Sequence, residues 1–387
     1  MIKIDKEVDV IIVGCGPAGA WCAKRLAESG VNVIVLDRNE EIGTPVRCGE
    51  GFSKTIEERL NLKLPSFCIA QKIDGAFIYA PNGKFVEVKG FGYVLERKMF
   101  DKWLAIEASN AGAKILAKSY VYDLIKEKGK ITGIKANIVG EDMEIKGKII
   151  VGADGVESMI AKKAGINTTC SPFLVDSGFE YELANIKLRD EKKLEIFLGS
   201  EVAPRGYVWI FPKGKNRANV GVGIVGSNEK GARYYLDKFI ASREELRKGS
   251  IIEVKGGAIP VGGFLRDMVK ENVLLVGDAA HQVNPIHGGG IGEAMTASEI
   301  AAKVIKKALD KNDLKILKEY NTLWYKSRGN TLKKIEKLRE IVEKLSDDQL
   351  NKLAEALEGE DIYDITHGNY LKLVKTLLKL GFKLAGF

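Results

Sequence analysis

Apolar residues recur along this chain in three rhythms, and each predicts a different element. Residues 8–13 and 31–36 are near-continuous apolar runs, separated by an Ala-rich segment with helical spacing that reaches about Ser29. Such runs suit parallel strands buried on both faces, joined by a crossover helix. The same rhythm returns at 273–276, read as a strand, and at 291–309, read as a helix. Between these regions the pattern changes to alternation. In "APRGYVWIFPKG", Tyr207, Trp209 and Phe211 fall on one face of an extended chain while Val208 and Ile210 fall on the other. Pro204 and Pro212 bracket that run, as at the ends of a strand. "GAFIYAPNGKFVEV" reads as a hairpin around Asn82-Gly83, and "YELANIKL" and "KLEIFLG" add further strands. From about residue 309 the spacing becomes helical, with Leu332, Ile335, Leu338, Val342 and Leu345 three or four residues apart.

A chain of 387 residues accommodates two domains and a smaller third unit. Its 45% hydrophobic and 29% charged residues describe a globular protein. The net charge of +8, from 60 Lys and Arg against 52 Asp and Glu, is dispersed, and no basic–aromatic stripe marks a nucleic-acid binder. Abundant charge of both signs, Lys above all, fits a heat-adapted source. The five cysteines (15, 22, 48, 68 and 170) have no C-x-x-C spacing, and with only three histidines no metal site is expected. Their odd number and the lack of a secretory signal favour the cytoplasm. No apolar run approaches the roughly 20 residues that span a bilayer. The final segment, "THGNYLKLVKTLLKLGFKLAGF", carries Lys372, Lys375, Lys379 and Lys383 without an acid. That stripe suits peripheral contact with an anionic lipid surface at the inner face of the membrane; the alternative is a helix that closes the substrate domain.

The strongest chemical signal is Gly14-x-Gly16-x-x-Gly19, placed between the first strand and its helix, with Ala18 inside the turn and Asp37 ending the second strand. Gly14 permits the tight turn, Gly16 lets backbone N–H groups approach a pyrophosphate, and Gly19 allows helix and strand to pack closely. The helix N-terminus adds partial positive charge, and Asp37 stands where an acid accepts hydrogen bonds from an adenosine ribose. A Rossmann-type dinucleotide site follows, but the motif alone does not distinguish FAD from NAD.

Two later segments resemble the para-hydroxybenzoate-hydroxylase-like flavoproteins and imply FAD. "ENVLLVGDAAHQVNPIHGGGIGEAM" is similar to their second flavin motif, implying that Asp278 reaches the ribityl–pyrophosphate side and that Gly290 and Ile291 contact the flavin by backbone. Arg97, Phe100, Asp101 and Leu104 match the superfamily's R-x-x-F-D-x-x-L, with Arg97 implied to reach FAD and Val121 to give an adenine backbone contact. In "VGADGVESMIAKKAGI" the chain departs from D-G-x-x-S-x-x-R, because Ala161 replaces the arginine. That weakens the case for direct NADPH reduction and favours an external electron donor: a ferredoxin-like protein, reduced deazaflavin or a nicotinamide.

"PVRCGEG", "PRGYVWIFP" and "NPIHGGGIGEAM" together resemble the archaeal geranylgeranyl reductase family over roughly residues 5–310. The resemblance implies an FAD-dependent oxidoreductase that saturates isolated C=C bonds in the isoprenoid chains of archaeal membrane lipids. It also implies flavin contacts from Cys48, Gly49 and Gly51, a polyprenyl lipid bordered by Tyr207, Trp209 and Phe211, and a proton donor among Cys48, Tyr207, His281, His287 or water. Cys48 is the candidate catalytic residue; filling space is its alternative role. The expected organisation is α/β: a discontinuous FAD-binding domain (1–72, 92–165 and 266–308), a strand-rich antiparallel substrate domain (73–91 and 166–265) and a helical C-terminal region (309–387). A flavin monooxygenase or halogenase of the same fold, and a non-catalytic flavin-bearing lipid-binding protein, are the competing readings.

Overall fold

The computed structural model describes residues 5–366 and 371–380. Two eight-stranded sheets organise it. The first runs in the order Val269–Lys270, Val273–Leu275, Glu141–Gly152, Glu7–Val13, Val33–Leu36 and Lys114–Leu116, with the hairpin Ser119–Glu127 and Lys130–Ile138 attached through Glu141–Gly152. Its centre is parallel: Glu7–Val13 pairs in that sense with both Val33–Leu36 and Glu141–Gly152. Val10, Ile11 and Ile12 are fully buried, which is why this strand reads as a continuous apolar run. The helices Pro17–Glu28, Arg97–Asn110 and Ile291–Asp310 pack together beside it. Ser298 Oγ donates to the Ala18 carbonyl at 2.8 Å and ties the first helix to the third.

The second sheet is ordered Ser250–Pro260, Val175–Ala184, Arg217–Val225, Tyr207–Pro212, Lys193–Phe197, Ile69–Tyr79, Phe85–Leu95 and Gly51–Ser53. All its pairs are antiparallel except Lys193–Phe197 with Ile69–Tyr79. Gly83 closes the expected hairpin with φ +84°, a conformation glycine adopts without strain. The two hairpin strands extend past residues 72 and 92, so the second sheet includes stretches on both sides of those positions. One face is apolar: Val208, Ile210, Val220, Val222 and Leu183 pack with Leu236 and Phe239 of the helix Gly231–Ala241 into a separate core. The other face carries the aromatic row and faces the first sheet's domain.

The chain beyond Asp310 is helical throughout its described elements. Leu332 and Ile335 join the main core, while Leu338, Leu353, Ile365, Leu373 and Leu377 form a third cluster. In the helix Leu371–Lys379, Leu373 and Leu377 are thus turned inward, and Lys375 and Lys379 are exposed. Lys383 and the side chain of Lys372 lie outside the described residues. Among the described residues no helix is long and apolar enough to cross a membrane.

Candidate active site

The dinucleotide turn is built by close backbone contact. A Cβ on Gly19 would lie 1.9 Å from the Gly14 carbonyl oxygen, and one on Gly14 would lie 2.3 Å from that of Ala153. Gly16 differs: a Cβ there meets nothing within 4 Å. Gly16 also starts the helix Pro17–Glu28 without any side-chain cap, so no side chain satisfies its first N–H groups. Ala18 sits buried in that first turn. Asp37 follows Leu36 and is held in place, one oxygen accepting from Cys15 N at 2.8 Å and the other from Asn39 N at 2.9 Å. Val121 is buried, and nearby Ser119 N donates to the Asp37 carbonyl at 2.7 Å.

A second half-site faces this turn. Asp278 lies, half-buried, at the start of a short turn after Val273–Leu275. Burial pushes its pKa up, and the Arg97 guanidinium opposes that shift. A Cβ on Gly290 would stand 3.2 Å from Asp278 Oδ1. Gly290 also precedes the helix Ile291–Asp310 with no side-chain cap. Arg97 makes a bidentate pair with Asp101, both bonds at 2.8 Å. An open phosphate cradle, a half-buried carboxylate against Gly290 and two uncapped helix starts together fit a bound dinucleotide. The D-G segment instead serves local structure: Ser158 caps the helix Met159–Ala164, and Ala161 is fully buried.

Cys48, Gly49, Glu50 and Gly51 form the bridge between the two sheets. A Cβ on Gly49 would meet Trp209 Nε1 at 3.2 Å, and one on Gly51 would meet the Phe211 ring at 3.3 Å. Glycine at both positions therefore answers to the aromatic row. Tyr207, Trp209 and Phe211 stand in sequence, with ring centroids 5.8 and 6.2 Å apart. Cys48 is half-buried, and its Sγ accepts from Glu50 N at 3.2 Å. Burial pushes this thiol up, partly offset by Arg97, so it is held as the thiol.

The other proton-donor candidates are committed elsewhere. The Tyr207 hydroxyl donates to the His287 carbonyl at 2.7 Å. Gly289 N donates to His287 Nδ1 at 3.1 Å. His281 is buried, its Nδ1 3.0 Å from the Gly263 carbonyl, and burial lowers its pKa.

Beneath the aromatic row lies a cluster that alternation along single strands does not reveal. Trp209 is in register with Gly221, Glu180 and Lys255 across four strands, and Phe211 with Asn219 and Glu182. These residues share one face, and the Cys48–Gly51 loop covers it. Glu50 reaches down to Lys213 at 2.6 Å and Lys255 at 3.2 Å, and Glu182 meets Lys213 at 3.0 Å and Arg217 at 2.8 Å. Glu96 completes the group with contacts to Lys213 and Arg217. Burial opposes ionisation of Glu50, yet Lys213 and Lys255 outweigh it and hold the carboxyl below the usual range. Glu180 has fewer partners, and burial pushes its pKa up to about 7 despite Lys255. In sequence Glu180 and Glu182 alternate with Phe179, Tyr181 and Leu183, a pattern that ordinarily marks a solvated face. The visible signal was the pair of lysines, Lys213 and Lys255, placed inside or just beyond otherwise apolar strands.

Fold and site thus define a flavin-dependent oxidoreductase with a parallel nucleotide-binding sheet and an antiparallel second sheet. The pyridine nucleotide-disulphide oxidoreductase family model matches residues 8–194, and the geranylgeranyl reductase catalytic domain model matches residues 175–259. The chain belongs to the digeranylgeranylglycerophospholipid reductase family. It is 40% identical over 363 residues to the protein of that name from Methanothrix thermoacetophila, covering 92% of each chain. It is also 40% identical over 384 residues to that of Methanocaldococcus jannaschii, covering 97% of each. A geranylgeranyl bacteriochlorophyll reductase-like protein from Thermoplasma acidophilum superposes with a TM-score of 0.91 at 32% identity, covering 98% of this chain and 99% of that one. A flavin-dependent brominase shares the fold at TM-score 0.75 and 17% identity, covering 97% of this chain and 98% of its own.

Proposed function

We propose that this chain binds FAD and saturates isolated C=C bonds in the geranylgeranyl chains of a glycerophospholipid. The observation that carries this reading is the row Tyr207–Trp209–Phe211 on the second sheet, laid against the Cys48–Gly51 loop. Gly14, Gly16, Ala18, Gly19 and Asp37 would hold the adenosine diphosphate half, with Val121 beside the adenine. Arg97, Asp278, Gly290 and Ile291 would hold the flavin half, together with Cys48, Gly49 and Gly51. When bound, FAD supplies a hydride donor.

An isolated trisubstituted alkene has no carbonyl to polarise it, so a proton would add to the less substituted carbon, positive charge would build on the more substituted one, and the hydride would be delivered there. The aromatic row excludes water and offers ring faces to that charge. The proton goes to the less substituted carbon, and Cys48 is the group best placed to give it. Its Sγ already accepts Glu50 N–H, which leaves the S–H free to donate, and burial keeps the sulfur protonated. The electron donor we favour is external, a ferredoxin-like protein, reduced deazaflavin or a nicotinamide, because Ala161 replaces the arginine expected for NADPH use.

We also assign the lipid to the domain built from 73–91 and 166–265, the FAD to 1–72, 92–165 and 266–308, and the rest to a helical C-terminal region. In that region exposed Lys375, Lys379 and Leu378 support peripheral contact with the inner face of the membrane, although Leu373 and Leu377 are occupied by packing.

The test is anaerobic. The holoenzyme is reduced chemically and mixed with a geranylgeranylated glycerophospholipid, and flavin oxidation is followed with lipid mass. Reoxidation accompanied by a gain of two hydrogens per bond is the expected result. Rapid reoxidation only on admitting O₂ and a second substrate, with no lipid mass change, would assign a monooxygenase or halogenase instead. Trp209→Ala should slow lipid turnover while leaving FAD bound.

A further inference from the structure

The buried cluster under the aromatic row carries a surplus of negative charge placed against one ring. Four carboxylates (Glu50, Glu96, Glu180 and Glu182) meet three cations, Lys213, Lys255 and Arg217. Glu253 adds a further, more exposed carboxylate, 3.5 Å from Lys255. Glu50 and Glu182 each have two close cations, whereas Glu180 has only Lys255, at 3.1 Å. Lys255 is itself divided among Glu50, Glu180, Glu182 and Glu253, so it neutralises each only in part. That ion pair leaves Glu180 Oε1 without an aligned hydrogen bond. The other oxygen, Oε2, accepts the Trp209 indole N–H at 2.7 Å.

The geometry making this bond possible is built into the sheet. Gly221 lies between Trp209 and Glu180 in register, and a Cβ there would stand 2.3 Å from the indole Cζ2. The indole therefore lies across the neighbouring strand, with its N–H directed at a carboxylate one strand further on. We propose that ionised Glu180 acts through Trp209: by accepting the indole N–H it fixes the ring and raises the electron density of its π face, so that the ring attracts the positive charge developing on the alkene more strongly. A charge-assisted hydrogen bond polarises its donor, and the attraction of a cation to an aromatic face grows with that polarisation. The inference rests on the alkene-reduction reading above. Glu180 is thus a positioning residue, distinct from any group that touches substrate.

The groups facing Glu180 are Lys255 and Glu253 from its own sheet, Glu50 and Cys48 from the loop, and Trp209 from the aromatic strand. Among these, Cys48 stays protonated and Glu50 stays ionised near neutrality, which leaves Glu180 as the group that changes charge near pH 7. The role therefore predicts a direction: the rate rises with pH through that range. A proton donated by Glu180 would make it fall.

The experiment uses holoenzyme labelled with ¹⁵N in its four tryptophan indoles. The resonance lost in Trp209→Phe should move downfield with a midpoint near pH 7 in the wild type. In Glu180→Gln, which keeps an acceptor and the side-chain shape, it should remain bonded but not titrate. Single-turnover reduction of geranylgeranylated glycerophospholipid by the dithionite-reduced holoenzyme should rise through the same pH range in the wild type. In Glu180→Gln it should be about tenfold slower and flat with pH, with lipid affinity little changed. Unchanged turnover in Glu180→Gln, or a wild-type rate that falls through pH 7, overturns the proposal. Lipid reduction without a titrating Trp209 indole overturns it alone. A titrating indole with no lipid reduction overturns the functional reading and, with it, the catalytic role.

Discussion

The two sheets bury polar groups in opposite ways. In the parallel sheet, strand interiors are apolar, and the residues we assign to FAD lie at strand tips and helix starts: Gly14, Gly16, Asp37, Asp278 and Gly290. In the antiparallel sheet, one face is an ordinary apolar core, while the other buries Glu180, Glu182, Lys213, Lys255 and Asn219 under the Cys48–Gly51 loop. A parallel sheet whose strands are buried on both faces leaves no face for side-chain chemistry, so a ligand site forms at the edge where the strands end. An antiparallel sheet with one core face has a second face to spend on function. Here that face carries aromatic rings toward the Cys48–Gly51 loop and a charged floor under them.

The contrast can be broken at its most costly point first. Lys255→Met removes a cation shared by Glu50 and Glu180 and leaves buried carboxylates short of a partner. It should lower the unfolding free energy by about 3–5 kcal/mol in denaturant titrations, because breaking a buried pair costs far more than the pair contributes. A loss below about 1 kcal/mol, the range of exposed pairs, would show that the cluster is well solvated.

The parallel sheet should respond differently. Gly19→Ala places a methyl group 1.9 Å from the Gly14 carbonyl oxygen, so the turn must move. Stability should fall by about 1–3 kcal/mol, and FAD content after purification should fall with it. Full FAD retention would show that the turn's geometry is not what holds the cofactor.

The last contrast lies within the charged cluster itself and shows only as a pH dependence of Glu180. Its carboxyl is raised from the ordinary 4.5 to about 7 in the folded protein, first by burial. The folded state then holds the proton more tightly than the unfolded chain between those values. The stability this contributes is complete below pH 4.5 and is lost as pH rises through about 7. The unfolding free energy of the wild type, relative to Glu180→Gln, should therefore decline across that window, by about 3 kcal/mol at most. Asp176, raised to about 6 by burial, is present in both proteins and cancels in the difference. A flat difference would mean that Glu180 titrates as an exposed acid.

The nucleotide half was legible because its determinants are local. Gly14, Gly16 and Gly19 lie within one turn, Asp37 ends the next strand, and each residue's conformation follows from its immediate neighbours in the chain. The aromatic row was legible for the same reason, since alternation within six residues settles which side chains share a face. The charged floor was not. Glu180 and Glu182 alternate with apolar residues in just the manner of a solvated strand face, and nothing nearby in sequence distinguishes a buried carboxylate from an exposed one. Nor does a glycine-rich loop announce that its glycines make room for rings brought from more than 150 residues away. The sequence by itself determined the βαβ unit, the dinucleotide turn and the two faces of the aromatic strand. Only the tertiary structure decided that the polar face is covered, that Gly221 lets the Trp209 indole reach Glu180, and that Lys213 and Lys255 balance the acids beneath. Burial and cross-strand register depend on which segments meet, and those meetings are long-range packing outcomes that no local pattern encodes.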